Sequence, residues 1–430
     1  MSSPSGRPKA LMAAVNQWTS PFQIGAHHIA RCLVAAGWDV AFISTPVSPF
    51  HLGALTPEVR GRLNLYGRGG LTDLGGHLWA YVPGALLVPR ATPPLRSRWI
   101  HHHWPRLTVP NLVRTAQQHG FGEVDLLYVD APVHEPWLGS ITYRKSVFRL
   151  ADRMAGFRAF NPEMGVLARR VASNVDLVAY TARSLEPDVD HLAPRRRLYL
   201  PNGVDFARFS AASAGTPPDL ASIPRPIAIY VGTLDEWFDF DTVNALAEGL
   251  PDVSFVLIGP EDKARTRLGP RSNLHLLGRR PYQDIPAYLQ AADLGLIPFD
   301  VHGHRALVDS IHPLKLYEYL AAGLPVVAAD WEELRLLDSP AFLCRTADDY
   351  VAAVRRAITS PPDRATSIAF ARAADWRGRV DQLLDALELP VGRTPESASP
   401  DLANDEPAVH EDVARCRGAD ARNIWDPPPA

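Results

Sequence analysis

The chain has 430 residues, of which 46% are hydrophobic and 21% charged, and a formal net charge of −3. It is too long for one ordinary compact domain and is expected to fold as two, with cores large enough to need no disulfide staple. The segment from residue 391 holds eight acids against four arginines, which leaves the rest close to neutral and argues against a dedicated nucleic-acid binder.

Cys32, Cys344 and Cys416 are far apart and form no CxxC pair, a usage that suits a reducing compartment. The opening MSSPSGRPKA has no apolar signal core, and no run reaches the roughly 18 apolar residues of a spanning helix. A cytoplasmic protein is expected, with peripheral contact to the inner face of the membrane left open.

In chain order, short apolar runs at 11–15, 40–44, 126–130, 147–150 and 177–180 read as buried strands. Helix-period stretches at 26–36, 109–119 and 163–172 separate some of them. The alternation predicts an α/β unit with a parallel sheet. A Pro- and Gly-rich section, about 46–105, interrupts this unit without a clear assignment. The loop at 210–226, rich in Ser, Ala, Pro and Gly, reads as a linker. Strands are then expected at 227–231, 254–258, 274–277, 294–298 and 325–328, with helices at 242–248, 285–291 and 314–322. A last helix is predicted at 376–388, and the polar, Pro-rich, acidic tail beyond it reads as disordered. The division is thus 1–205 for a first Rossmann-like domain and 206–374 for a second. A C-terminal helix at 375–389 packs back towards the first, and a tail covers 390–430. Two such units imply a cleft between the carboxyl ends of two sheets, where ligands bind.

Several residues near that cleft carry chemistry. Gly25 opens a helix just after the first strand, in a stretch with His27 and His28 that resembles the first loop of GT-B acceptor domains; the resemblance implies that His27 or His28 holds an acceptor or polarises the sugar, with capping and packing the alternative roles. Asp152 lies beyond the carboxyl end of the strand at 147–150, where a carboxylate can take a proton from an acceptor hydroxyl. Asp130, at the end of the 126–129 run, competes with it, and either aspartate can instead cap a helix. His101, His102 and His103 are read as an extended segment whose side chains alternate, with no acidic or Cys partner at metal-ligand spacing, so no metal site is expected. Arg90, Arg96, Arg98, Arg106 and Arg114 with Trp79, Trp99 and Trp104 are either a basic, aromatic membrane-facing surface or ordinary exposed arginines.

The most informative segment is HPLKLYEYLAAGLPVVAA, residues 312–329. Pro313 suits a first helical turn, Gly323 a helix C-cap, and the residues after it a strand. Lys315 and Glu318, three apart, project from one side of the helix near its start. The exposed N–H groups and the positive helix end there favour a diphosphate, to which Lys315 adds a full charge; Glu318 can accept two hydrogen bonds from a ribose diol.

This segment resembles the P-x-K-x-x-E-Y-x-A-x-G-x-P-V-V signature of the GT-B glycosyltransferases, the glycosyltransferase family 4 branch in particular. The resemblance implies that Lys315 contacts donor phosphate and Glu318 the nucleotide ribose, with Pro313 and Leu314 beside them. It extends to Gly232 and Thr233 after the strand at 227–231, where backbone approaches phosphate or sugar. Gly278 and Arg279 resemble the loop that cups the nucleobase, and Pro298 and Phe299 the strand end that closes the pocket. PNGVD, residues 201–205, is similar to the family element before the linker and is read as a plain turn. The E-x7-E pair of that branch is incomplete here, because Ser310 stands where the first Glu belongs. The Asp152 strand end resembles that of the membrane-associated glucuronosyltransferase of xanthan assembly, whose aspartate is the proposed base.

The resemblance implies an α/β protein of GT-B architecture, two Rossmann-like domains with parallel sheets facing across a cleft. It further implies a glycosyltransferase that uses a nucleotide sugar, a UDP-sugar or UDP-glucuronate, as substrate and no cofactor. The acceptor is expected to be a sugar or lipid-linked hydroxyl, reached by metal-independent displacement. A retaining family 4 transferase and a sugar-nucleotide binding or epimerase protein are the alternatives.

Overall fold

A computed structural model describes residues 6–51, 56–88, 95, 97–156, 162–212 and 215–391. The first sheet is built from β1 (Lys9–Ala14), β2 (Asp39–Ser44), β3 (Leu71–Asp73), β4 (Leu78–Tyr81), β5 (Glu123–Val129), β6 (Thr142–Leu150), β7 (Leu177–Tyr180) and β8 (Arg197–Tyr199). Its order is β3-β4-β2-β1-β5-β6-β7-β8, parallel throughout except for the β3–β4 pair at one edge. The second contains β9 (Ile227–Val231), β10 (Ser254–Ile258), β11 (Leu274–Gly278), β12 (Leu294–Ile297), β13 (Val326–Ala329) and β14 (Phe342–Cys344), all parallel, in the order β11-β10-β9-β12-β13-β14. The interior strands are apolar on both faces because helices cover both sides of each sheet.

Strand order reverses between β1 and β5 in the first sheet and between β9 and β12 in the second. In open α/β sheets the crevice outside the carboxyl ends at such a reversal is where ligands bind. Helix α1 (Gly25–Ala35) follows β1 and buries Ala26, Ile29, Ala30 and Leu33. It stops at Gly37, whose φ of +88° suits glycine, while Trp38 N–H closes back onto the Leu33 carbonyl at 3.0 Å. Helix α2 (Leu314–Ala321) lies between β12 and β13 and ends in the same way, with Gly323 at φ +80° and Leu324 N–H on the Tyr319 carbonyl at 3.0 Å.

The chain crosses between the sheets twice, side by side. Val204 N–H donates to the Ala374 carbonyl at 3.0 Å, and Trp376 N–H to the Val204 carbonyl at 3.1 Å. Helix α3 (Trp376–Ala386) then lies against α1, and its Trp376, Val380, Leu383 and Leu384 join the core beneath the first sheet.

Three expectations need correction. The unassigned section at about 46–105 contains the helix Pro57–Gly67 and the strands β3 and β4, which extend the first sheet. Residues 101–103 close a short helix, Arg98–His103, rather than an extended segment. The strands β8 and β14 had no counterpart in the sequence reading. The tail expected to be disordered, like Arg90 and Arg96, lies outside the described residues.

Candidate active site

The second sheet assembles the donor-side residues at its switch point. Pro313 is the N-cap of α2 rather than a first-turn residue, which puts Lys315 at the second helical position and Glu318 one turn deeper. Lys315 Nζ lies 5.4 Å from the centre of the Tyr230 ring and 5.7 Å from that of Phe299, in a wall of aromatic faces. Among the described residues it makes neither a hydrogen bond nor an ion pair. Burial lowers its pKa, with Glu318 working the other way. Gly232 is pressed against it: a Cβ there would overlap Lys315 Cε and come within 2.8 Å of Nζ, and φ is +148°. The missing Cβ at Gly232 thus leaves room beside the ammonium group, while its own N–H is bonded to the Ile258 carbonyl at 2.9 Å.

Glu318 accepts a hydrogen bond from Tyr282 Oη at 3.3 Å. Burial pushes its carboxyl up to about 7, against the pull of Lys315 and of the Tyr282 bond. The other donor-side candidates frame this pair. The Thr233 carbonyl accepts from Tyr230 Oη at 2.8 Å, and the Pro298 carbonyl from Asp239 N–H at 2.8 Å. Phe299 packs 5.4 Å from Trp331, and Gly278 takes a positive φ of +71°. Arg279 reaches across to the first unit, its guanidinium 5.3 Å from the Phe22 ring, and Leu314 packs against the core beneath the first sheet.

On the first sheet, His27 is taken up structurally. Its Nδ1 accepts from Ile24 N–H at 3.2 Å, its Nε2 meets the Gln17 carbonyl at 2.9 Å, and its ring packs on Trp18 and Phe42. Burial lowers its pKa to about 4, so it is a neutral cap and packing ring with no free nitrogen for a sugar. His28 differs. It stacks on Trp376 at 5.3 Å and meets the Tyr282 edge at 5.8 Å, so it joins α1, α3 and the loop after β11, while its buried Nε2 has no partner among the described residues.

The two aspartates also separate. Asp130 accepts from Tyr128 Oη at 3.3 Å, pairs with Arg149 Nη1 at 3.9 Å and receives the Val15 N–H. Asp152 accepts no hydrogen bond among the described residues. Burial pushes it up to about 6, with Arg149 opposing and Asp130 adding. Burial raises Asp130 as well, so the difference lies in the partners: a carboxylate with none among the described residues is fit to accept a proton, and one already held by its neighbours is not.

Two participants escaped the sequence reading. Arg149, only 3% exposed in its side chain, donates through Nη2 to Asn202 Oδ1. Asn202, in the segment read as a plain turn, also donates to the His312 carbonyl at 2.8 Å. The available signal was a charged residue inside the apolar run VFRL, since a buried guanidinium requires partners.

Of the tryptophans considered for a membrane surface, Trp79 and Trp104 are core residues and Trp99 alone is exposed. Among the described residues no group of three or more His, Cys, Asp or Glu side chains is placed to hold a metal. A hollow of about 530 Å³ lies beyond β9 and β12, lined by residues including Phe238, Asp239, Asp300 and His304 but not by Lys315, Glu318 or Asp152. The candidate site is therefore defined by the switch points and the converging side chains.

Residues 12–181 match the family model for the N-terminal domain of the glucuronosyltransferase GumK, and residues 225–360 the model for glycosyl transferases group 1. The putative teichuronic acid biosynthesis glycosyltransferase TuaH of Bacillus subtilis (strain 168) is 25% identical over 179 residues, 40% of this chain; the match spans 44% of that protein's length. Among solved structures, the fold is similar to Anabaena Alr3699/HepE in complex with UDP, with TM-score 0.58, 17% identity, and 88% of this chain and 99% of that one covered. Sucrose-phosphate synthase from Thermosynechococcus elongatus gives TM-score 0.59 and 16% identity over 89% of this chain and 96% of that one. The Escherichia coli structure described as trehalose-6-phosphate with bound UDP-2-fluoro glucose gives TM-score 0.58 and 14% identity over 89% and 100%. At these identities the structural likenesses establish the fold alone.

Proposed function

The chain is a glycosyltransferase of the GT-B fold, and we propose that it moves a sugar from a UDP-sugar, UDP-glucuronate in particular, to a hydroxyl of a growing polysaccharide or glycolipid. The observation that carries this reading is the Lys315 ammonium at the start of α2, unpaired among the described residues and set in the room left by the missing Cβ of Gly232. It supplies charge for the departing diphosphate together with the helix N–H groups. Glu318 and Tyr282 receive the ribose, and Gly278 and Arg279 flank the base. The proposed displacement is metal-independent, since Lys315 and the helix end already offer positive charge to the leaving group.

Asp152 acts as general base on the acceptor hydroxyl, in a single displacement that inverts the anomeric centre. UDP is favoured by its presence in the HepE complex, and glucuronate by the match of residues 12–181 to a glucuronosyltransferase domain. The description of TuaH favours a cell-surface polymer as the product. Exposed Leu86, Trp99 and Val109, with Arg98, Arg106 and Arg114 at the surface, would meet the cytoplasmic face of a membrane carrying a lipid-linked acceptor.

The test begins with a thermal-shift screen of nucleotide sugars to identify the donor. Transfer is then measured for Asp152→Asn. The variant is expected to bind UDP as the parent does and to lose transfer, and the parent's product is expected to have inverted configuration by NMR. Retained transfer in the variant removes Asp152 as the base; a retained configuration replaces single displacement by a retaining mechanism.

A further inference from the structure

Arg149 is one of the most enclosed charges in the protein, yet it is incompletely satisfied. Its Nη1 is 3.9 Å from Asp130, its Nη2 donates to Asn202, and its Nε has no partner. The guanidinium lies directly under the start of α1. A Cβ on Gly25 would fall 2.5 Å from Nη2 and 2.8 Å from Cζ, so the glycine is what lets the loop after β1 close over it. Asn202 extends the connection, because its other amide atom donates to the carbonyl of His312, two residues before α2.

We infer that Arg149 and Asn202 are positioning residues, a strut that ties the proposed base of the first sheet to the donor helix of the second. The inference rests on the reading of Asp152 as the base. Arg149 pairs with Asp130, and Asp152 follows two residues beyond the end of the strand that carries Arg149; the guanidinium's charge favours the ionised form of both carboxylates. Because Asp130 is held by Tyr128 and Val15 as well, Asp152 is left as the carboxylate free to exchange a proton. The Asn202 bridge reports the position of the second unit to the same guanidinium. Opening of the two units breaks the contact to His312 and leaves Asn202 and Arg149 free to shift, so the base is set for proton transfer only when the donor helix is in place.

Arg149 also faces His28 and His312, both held neutral by burial, His312 with its pKa lowered to about 3. Arg153, next to Asp152, is engaged by Asp188 at 3.0 Å and Ser184, and its own N–H donates to Ser310.

The experiment compares Arg149→Gln, Arg149→Lys and Asp152→Asn in the full chain, measuring UDP affinity by calorimetry and turnover against pH. Both Arg149 variants are expected to bind UDP much as the parent does and to lose at least about tenfold in kcat, since small displacements of reacting groups are costly. In Arg149→Gln the acid limb of the pH–rate profile should move to higher pH, because loss of the cation makes Asp152 harder to ionise. In Arg149→Lys, which keeps the charge without the fork, the limb should stay near that of the parent. A fall in kcat with an unmoved acid limb in Arg149→Gln overturns the inference, as does loss of UDP binding in step with kcat in both Arg149 variants. Asp152→Asn separates the two levels: if it keeps transfer, the base reading fails; if it loses transfer while the Gln limb stays put, only the strut fails. If Arg149→Gln does not fold, Asn202→Ala gives the second reading, and parental kcat in that variant also overturns the inference.

Discussion

Replacing Lys315 by methionine tests the donor site through two effects of opposite sign. In the folded protein the ammonium has aromatic rings for neighbours, no ion pair among the described residues, and a pKa lowered by burial. Below that lowered pKa the fold therefore bears a desolvation cost for a charge it does not neutralise. Methionine has similar length and no charge, and Glu318, already raised to about 7, can become neutral when Lys315 no longer holds it down. The unliganded variant should thus melt no lower than the parent. Ligand binding should show the reverse. A charged hydrogen bond to phosphate contributes about 1.5–3 kcal/mol, so UDP affinity should fall about 10- to 100-fold. In the transition state, where charge on the leaving oxygen grows, one lost donor costs about 2.7–4 kcal/mol, or roughly 10²–10³ in kcat. Calorimetry with UDP, a UDP-release assay and a melting curve measure the three quantities. Unchanged affinity and turnover would refute the site, and a melting temperature that drops with activity would make Lys315 a structural residue.

Glu318→Gln tests the same pocket by pH: a carboxyl held at about 7 when folded, against 4.5 when free, makes the fold lose stability as pH rises from about 4.5 to 7, by at most about 3 kcal/mol. The variant should lack that slope, melt higher than the parent at pH 8 and show a raised donor KM; parallel melting profiles for the two proteins would exclude a buried, proton-holding Glu318. Gly232→Ala forces a Cβ into the Lys315 side chain at a φ of +148°, and is expected to weaken UDP binding by at least about tenfold and lower the melting temperature by a few degrees. Parental UDP affinity in that variant would show that the ligand does not approach this backbone.

The residues proposed for the donor half stand out in the sequence because one helix carries most of them. Its cap glycine, its Lys and its Glu lie within a single short segment, and the spacing of side chains on a helix is fixed by 3.6 residues per turn. The interior strands were legible because burial on both faces leaves unbroken apolar runs. β4 was not: it is four residues long, LWAY, and is recognisable as a strand only through its parallel pairing to β2. The histidines at 101–103 were misread because a six-residue helix is too short for its period to be distinguished from an extended segment. Arg149 and Asn202 meet through topology, 53 residues apart, and nothing local in PNGVD says that its amide bridges two sheets.

Ser310 is where the departure from the family 4 pattern acquires a physical meaning. The family 4 pattern has a carboxylate at this place. Here the side chain is fully buried, its hydroxyl accepts from Arg153 N–H at 3.1 Å and donates to the Leu307 carbonyl at 2.8 Å. The position has therefore been given to holding the segment before α2 against the strand end that carries Asp152. A glutamate would put a charge into that contact and face the Leu307 carbonyl without a proton to offer, a cost that burial makes large. The same contact brings the proposed base, one residue before Arg153, close to the donor side. What the second sheet gives up as a carboxylate at Ser310, the first sheet can supply as one at Asp152, and the expectation of inverting chemistry follows from that exchange.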